Sequence, residues 1–149
     1  KKSKSDSVKI AIFRFGIVLG KNGGAFQKMI TPFKLGLGGI IGSGKQHFSY
    51  IHIEDLIEVY KFVIENSLDG VFNCTAPTPT TNYEFTKTLG RVLNRPTIFP
   101  IPEFVLKLIF SEGAKVLTDG QSVIPKRLLD LGFNFKYKNI DETLKNLAK

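Results

Sequence analysis

The chain is poor in the residues that build stapled or metal-bound folds, with one cysteine and two histidines in 149 residues. A lone Cys74 excludes an internal disulfide framework and fits a reducing compartment, so a cytoplasmic location is expected. His47 and His52 have no cysteine pair beside them, which leaves no zinc-type ligand set. No apolar run reaches the ~18 residues of a membrane span, and the polar opening lacks the apolar stretch of a secretory signal. No membrane partner is therefore expected. Acid is scarce as well: 13 Asp and Glu stand against 21 Lys and Arg, for a formal charge of +8. Such an excess can attract acidic partners. Here the lysines are dispersed, with Lys1, Lys2, Lys4 and Lys9 in the leader, and no finger, helix-turn-helix or aromatic RNA-binding pattern accompanies them. A nucleic-acid partner is not expected either.

What is present is enough for one core. The chain is 42% hydrophobic, and a domain of this size hides about two-thirds of its unfolded surface. Residues 1–8 read as a flexible polar leader and 9–149 as the folded body. Ile10, Ala11, Ile12, Phe13, Ile17, Val18 and Leu19 form a nearly continuous apolar run with Arg14 inside it. A run without alternation predicts one strand, buried on both faces, in a parallel sheet covered by helices. Ala25, Phe26, Met29, Ile30 and Phe33 recur at helical spacing, as do Leu56, Val59, Tyr60, Val63 and Ile64. Val71 to Thr75 reads as a short strand, and Thr81 or Asn82 as the cap of a helix reaching Leu93. Residues 98–102 are extended and proline-limited. Short helices are expected near 103–111, 113–118 and 123–131, an extended segment over 132–137, and a terminal helix over 141–148. The fold class is α/β, with too few strands for a complete parallel sheet.

The densest signal lies at 42–56. Gly42 and Gly44 suit a tight turn, Phe48, Tyr50, Ile51 and Ile53 favour a strand, and Glu54 and Asp55 place charge at a helix start. Two nearby patterns are better read structurally. Gly39, Gly44 and Lys45 approach a phosphate-binding loop, but Gln46 stands where Ser or Thr should bind magnesium, and the order of strand and helix is reversed. Tyr83 and Lys87 are spaced like a proton-transfer pair, yet they follow a strand end rather than the expected helix. His52 is read as a hydrogen-bonding group that fixes the strand-to-helix turn, and Cys74 as a small core residue.

The 42–56 stretch resembles the second half of the extended short-chain dehydrogenases/reductases. Arg14 to Gly20, Gly23 to Ile30, Pro32 to Gly39, Asn73 to Pro79, Gly120 to Leu129 and Gly132 to Tyr137 follow in the family's order. The series looks like the atypical, epimerase-like branch, labelled as sugar-nucleotide epimerases or cell-division-inhibitor homologues. The resemblance implies the C-terminal part of an NAD(P)-binding Rossmann-type fold, with late parallel strands and a small substrate-binding lobe. It also implies NAD or NADP as cofactor, with the main glycine loop and the catalytic tyrosine and lysine lying upstream of this chain. No catalytic residue is expected within it.

The resemblance places Arg14, Gly16 and Ile17 at the nicotinamide side of the cofactor. It places Leu19, Gly24, Met29, Gln46 and Tyr50 around a substrate cleft. Ile17 and Leu19 stand where sugar-nucleotide members carry asparagine and tyrosine, and Phe48 and Ser49 where they carry arginine and aspartate. Without that arginine the bidentate hold on a diphosphate is lost, so a small carbonyl or alcohol substrate in a more apolar pocket is expected. The fragment should be inactive without an upstream half. That half, or another chain as in a homo-oligomer, should complete the sheet, because an open strand edge invites pairing. A non-catalytic NAD(P)-fold scaffold or assembly factor is the alternative, discriminated by whether tyrosine and lysine four apart precede residue 9.

Overall fold

The computed structural model describes residues 8–101 and 120–148. Four short strands and five helices are described, in the order β1 (Ala11–Phe15), β2 (Ile17–Leu19), α1 (Gly24–Lys34), β3 (Tyr50–His52), α2 (Ile53–Glu65), β4 (Gly70–Cys74), α3 (Asn82–Leu93), α4 (Lys126–Asp130) and α5 (Ile140–Leu147). The expected leader falls almost wholly outside the described residues, as do the helices expected at 103–111 and 113–118. All described strand pairing is parallel: β1 runs with β4 and β2 with β3, forming two two-stranded sheets. The expected α/β class holds.

The apolar run at 9–19 is two strands, not one. Gly16 is the break. Its N–H donates to the Cys74 carbonyl at 3.3 Å, while the next N–H, of Ile17, donates to Ser49 at 2.9 Å. The chain thus leaves β4 and joins β3 within one residue. Any Cβ at Gly16 would collide with the Ser49 carbonyl group, so the crossing demands glycine.

Burial on both faces is also corrected. Register pairs Phe13 with Phe72 and Phe15 with Cys74 on one face, and Ile12 with Val71 and Arg14 with Asn73 on the other. The first face packs on α2 through Val59 and Val63, with Leu128 and Phe135 closing the cluster. On the second, Ile12, Arg14 and Val71 are exposed. A parallel strand with one bare face is a half-built layer, since such sheets are normally covered on both sides. Among the described residues β1 also pairs along one edge alone.

The second core joins α1, β2, β3, α3 and α5. Phe26, Met29, Ile30 and Phe33 come from α1, Phe85 and Leu89 from α3, and Leu144 and Leu147 from α5. The α3 start is a capping box: Thr81 accepts from the Glu84 N–H, and the Glu84 carboxylate accepts from the Thr81 N–H at 2.7 Å. Residues 132–137, expected as an extended segment, join no sheet among the described residues. They are held instead by Asp55, whose carboxylate accepts from the N–H groups of Lys136 at 2.8 Å and Tyr137 at 3.0 Å.

Candidate functional site

In open parallel sheets the crevice beyond the carboxyl ends of the strands receives ligands, because strands diverge there and leave backbone groups unpaired. For β1 and β4 that end is built from Phe15, Gly16, Ser49 and Thr75. The segment 120–123 crosses it as a strap. The Ser49 hydroxyl donates to the Gln121 carbonyl at 2.5 Å and accepts from the Val123 N–H at 3.2 Å. Thr75 donates to the Val123 carbonyl at 2.9 Å. Gly120 lies against the His47 backbone so closely that any side chain there would overlap its carbonyl. Short local patterns could not reveal this clip, because Ser49 and its strap partners lie 72 and 74 residues apart.

Of the residues expected beside a cofactor, Gly16 lies at the strand switch, Ile17 begins β2 half-buried, and Arg14 projects from the bare face. Arg14 is exposed, so it does not bear the cost of a guanidinium inside an apolar strand. The structure does not gather the expected substrate residues around one cleft. Leu19, Met29 and Tyr50 are packed in the second core, between 0% and 6% exposed. Burial pushes the Tyr50 phenol pKa up, with Thr143 the polar group beside it. Phe48, expected on an apolar wall, stacks on Phe85 with ring centroids 4.4 Å apart in the same core. Gln46 donates from its side chain to the Ile41 carbonyl at 3.0 Å, and its own carbonyl accepts from Asn82. Only Gly24 borders a described pocket.

That pocket, of about 550 Å³, opens at the carboxyl end of β2 and β3 and is lined by Gly20, Lys21, Asn22, Gly24, His52, Glu54 and Asn146 among others. His52 is a polar part of its wall held at both ring nitrogens. Nδ1 accepts from the Glu54 N–H at 3.1 Å, capping α2, and Nε2 meets the Asn146 amide oxygen at 3.1 Å. Since Nδ1 accepts, the proton resides on Nε2 and is donated to Asn146. The ring stacks on Tyr137 at 3.7 Å. Burial lowers its pKa below the ordinary 6.5. All its polar capacity is thus spent on structure, in agreement with the turn-fixing role expected for it.

Tyr83 and Lys87 are a surface pair on α3. Lys87 donates to the Thr97 carbonyl at 3.0 Å and hydroxyl at 3.1 Å, tying down the loop that follows the helix. Burial raises the Cys74 thiol to about 11, the behaviour of an inert core thiol. Among the described residues no group of three or more His, Cys, Asp and Glu is arranged to hold a metal, and no helix is long and apolar enough to cross a membrane.

Residues 101–147 match the model of a domain of unknown function, DUF1731. The chain is 46% identical over 143 residues to an Arabidopsis thaliana protein, the chloroplastic homologue of epimerase family protein SDR39U1, covering 95% of this chain and 41% of that protein. It is 42% identical over 142 residues to the epimerase family protein SA0724 of Staphylococcus aureus, covering 95% of this chain and 47% of that one. The crystal structure of human epimerase family protein SDR39U1, solved with NADPH, superposes with a TM-score of 0.88 at 42% identity, over 96% of this chain and 49% of that one. A nucleoside-diphosphate sugar epimerase from Corynebacterium glutamicum superposes with a TM-score of 0.68 at 27% identity, over 93% and 26%. The chain spans about half the length of the curated relatives it matches.

Proposed function

We propose that this chain, which corresponds to the C-terminal half of epimerase-family proteins of the extended short-chain dehydrogenase/reductase type, supplies the late strands and substrate lobe of an NAD(P)-dependent oxidoreductase or epimerase. The carrying observation is the half-built β1–β4 layer: a parallel pair with one bare face, a β1 edge unpaired among the described residues and a strapped crevice at its carboxyl end. An upstream half would cover that face, extend the sheet past β1 and bring the dinucleotide to the crevice. The human relative solved with NADPH supports this choice of cofactor class.

The residues present fit a dinucleotide's nicotinamide end. Gly16 sits at the switch with the Ser49 carbonyl filling the space of a side chain, Ile17 offers a half-buried apolar surface, and Arg14 an exposed guanidinium on the bare face. The cofactor would supply hydride transfer to or from a small carbonyl or alcohol. Proton transfer is assigned to groups outside this chain: the Tyr83–Lys87 pair serves the α3 surface, Tyr50 lies in the core, Tyr60 packs on Phe13 and the Tyr137 hydroxyl donates to Glu54. Phe48 stands where the resemblance places a diphosphate-binding arginine, and its ring is buried against Phe85, which supports a substrate other than a nucleotide sugar.

The test is fluorescence titration of NADPH and NADH against the isolated 149-residue chain and against the full-length protein. Saturable binding by the full-length protein and none by the chain alone is expected. Equal affinity in both, or no binding by the full-length protein, overturns the reading.

A further inference from the structure

The strap at 120–123 is held more firmly than a surface connection requires. Ser49 engages it twice, as donor to Gln121 and acceptor from Val123, and Thr75 takes the Val123 carbonyl, so both backbone polar groups of Val123 are bonded to side chains. Thr75 is 2% exposed and sits one residue beyond β4, while Ser49 sits one residue before β3. The Ser49 carbonyl simultaneously accepts from Ile17. One residue therefore fixes both the strand switch beneath the crevice and the strap across it. Gly120 sets the strap's height, since its backbone rests directly on His47.

We infer that Ser49, seconded by Thr75, is a positioning residue that holds residues 121–123 as a fixed wall of the dinucleotide crevice, the inference resting on the cofactor reading above. A loop that had to be ordered by the ligand would subtract its ordering entropy from binding; a loop already bonded to the strand ends does not. Gln121 and Ser122 remain exposed at the rim, where they can face the ligand while the backbone of Val123 is spent on the clip. At Ser49 a neutral hydroxyl can both donate and accept, whereas an ionised carboxylate only accepts and would face the Gln121 carbonyl without a proton to share.

The experiment uses the full-length protein and its Ser49→Ala, Ser49→Thr and Thr75→Val variants. NADPH affinity and dissociation rate are measured by fluorescence, Val123 amide exchange by mass spectrometry or NMR, and melting temperature alongside. Ser49→Ala should speed Val123 exchange and weaken NADPH about fivefold, the equivalent of one neutral hydrogen bond, mostly through faster dissociation. Ser49→Thr, which keeps the hydroxyl, should restore both readings. Thr75→Val should act in the same direction, which keeps the test intact where one variant folds poorly. Faster exchange with unchanged NADPH affinity in Ser49→Ala overturns the inference and leaves the cofactor reading standing. Failure of the unmodified protein to bind NADPH or NADH overturns both.

Discussion

Asp55 offers the sharpest test of how the second half of the chain is held to the first. It is 2% exposed, and among the described residues it makes no ion pair; its two oxygens accept from the backbone N–H groups of Lys136 and Tyr137. Asp55→Ala leaves the buried Tyr137 N–H and the partly buried Lys136 N–H without this partner. An orphaned buried donor costs about 1–3 kcal/mol. Part of this is offset, because removing the side chain also removes a carboxylate whose burial is itself unfavourable: desolvation outweighs the two N–H bonds and holds its pKa above the ordinary 3.8. The net loss should be about 2–4 kcal/mol, the range for breaking a buried polar network at one end. Asp55→Asn is the more discriminating change. Its amide oxygen can serve one N–H, but its NH2 group then faces the other donor, so about half of the loss should remain. Urea unfolding of the full-length protein at pH 7 reads both, with amide exchange at 136 and 137 locating the effect. A loss below about 0.5 kcal/mol for Asp55→Asn, the ordinary surface value, would show that the clamp contributes nothing and refute the reasoning.

His52 gives a pH dependence of definite sign. Its folded pKa lies below the ordinary 6.5, so the unfolded chain takes up a proton first; stability is full above pH 6.5 and falls as pH drops, by at most about 1.4 kcal/mol per unit. The Asp55 shift acts in the opposite sense nearer its own ordinary value, so the His52 share should be isolated as the difference between wild type and His52→Asn in urea midpoints from pH 7.5 to 5; parallel curves would refute it. Gly16→Ala should cost about 3 kcal/mol or more, or give insoluble protein, because the added methyl meets the Ser49 backbone; a melting temperature within a degree of wild type would contradict the strand switch. Phe48→Arg, which would restore a phosphate-binding side chain if Phe48 lined a cleft, should instead disrupt the Phe48–Phe85 stack and destabilise by about 3 kcal/mol or more; normal stability with gained nucleotide-sugar binding would show that the side chain is reachable.

The parts of this molecule legible in the sequence are those whose causes are local. The α2 start could be read from His52 to Asp55, the α3 start from Thr81, and the short strands from their apolar runs, since each depends on neighbours within a few positions. The β1–β2 break was not legible, although Gly16 stood in plain view. A glycine inside an apolar run says that something approaches closely, but only tertiary structure says that Ser49 does so, 33 positions on. The same limit explains Asp55. Its charge suits a helix N-terminus, yet the residue that caps α2 is His52, and Asp55 turns to N–H groups 81 and 82 residues away. Resemblance carried Leu19, Met29 and Tyr50 onto a cleft wall by alignment of position. Whether an aligned side chain faces a ligand or a core depends on what fills the space opposite, and here Phe26, Phe85 and Leu144 fill it. Position transfers between relatives more safely than exposure does. At the carboxyl ends of β1 and β4 the close approach of Gly16 to Ser49 is a matter of backbone geometry, whereas the strap depends on the Ser49 and Thr75 hydroxyls.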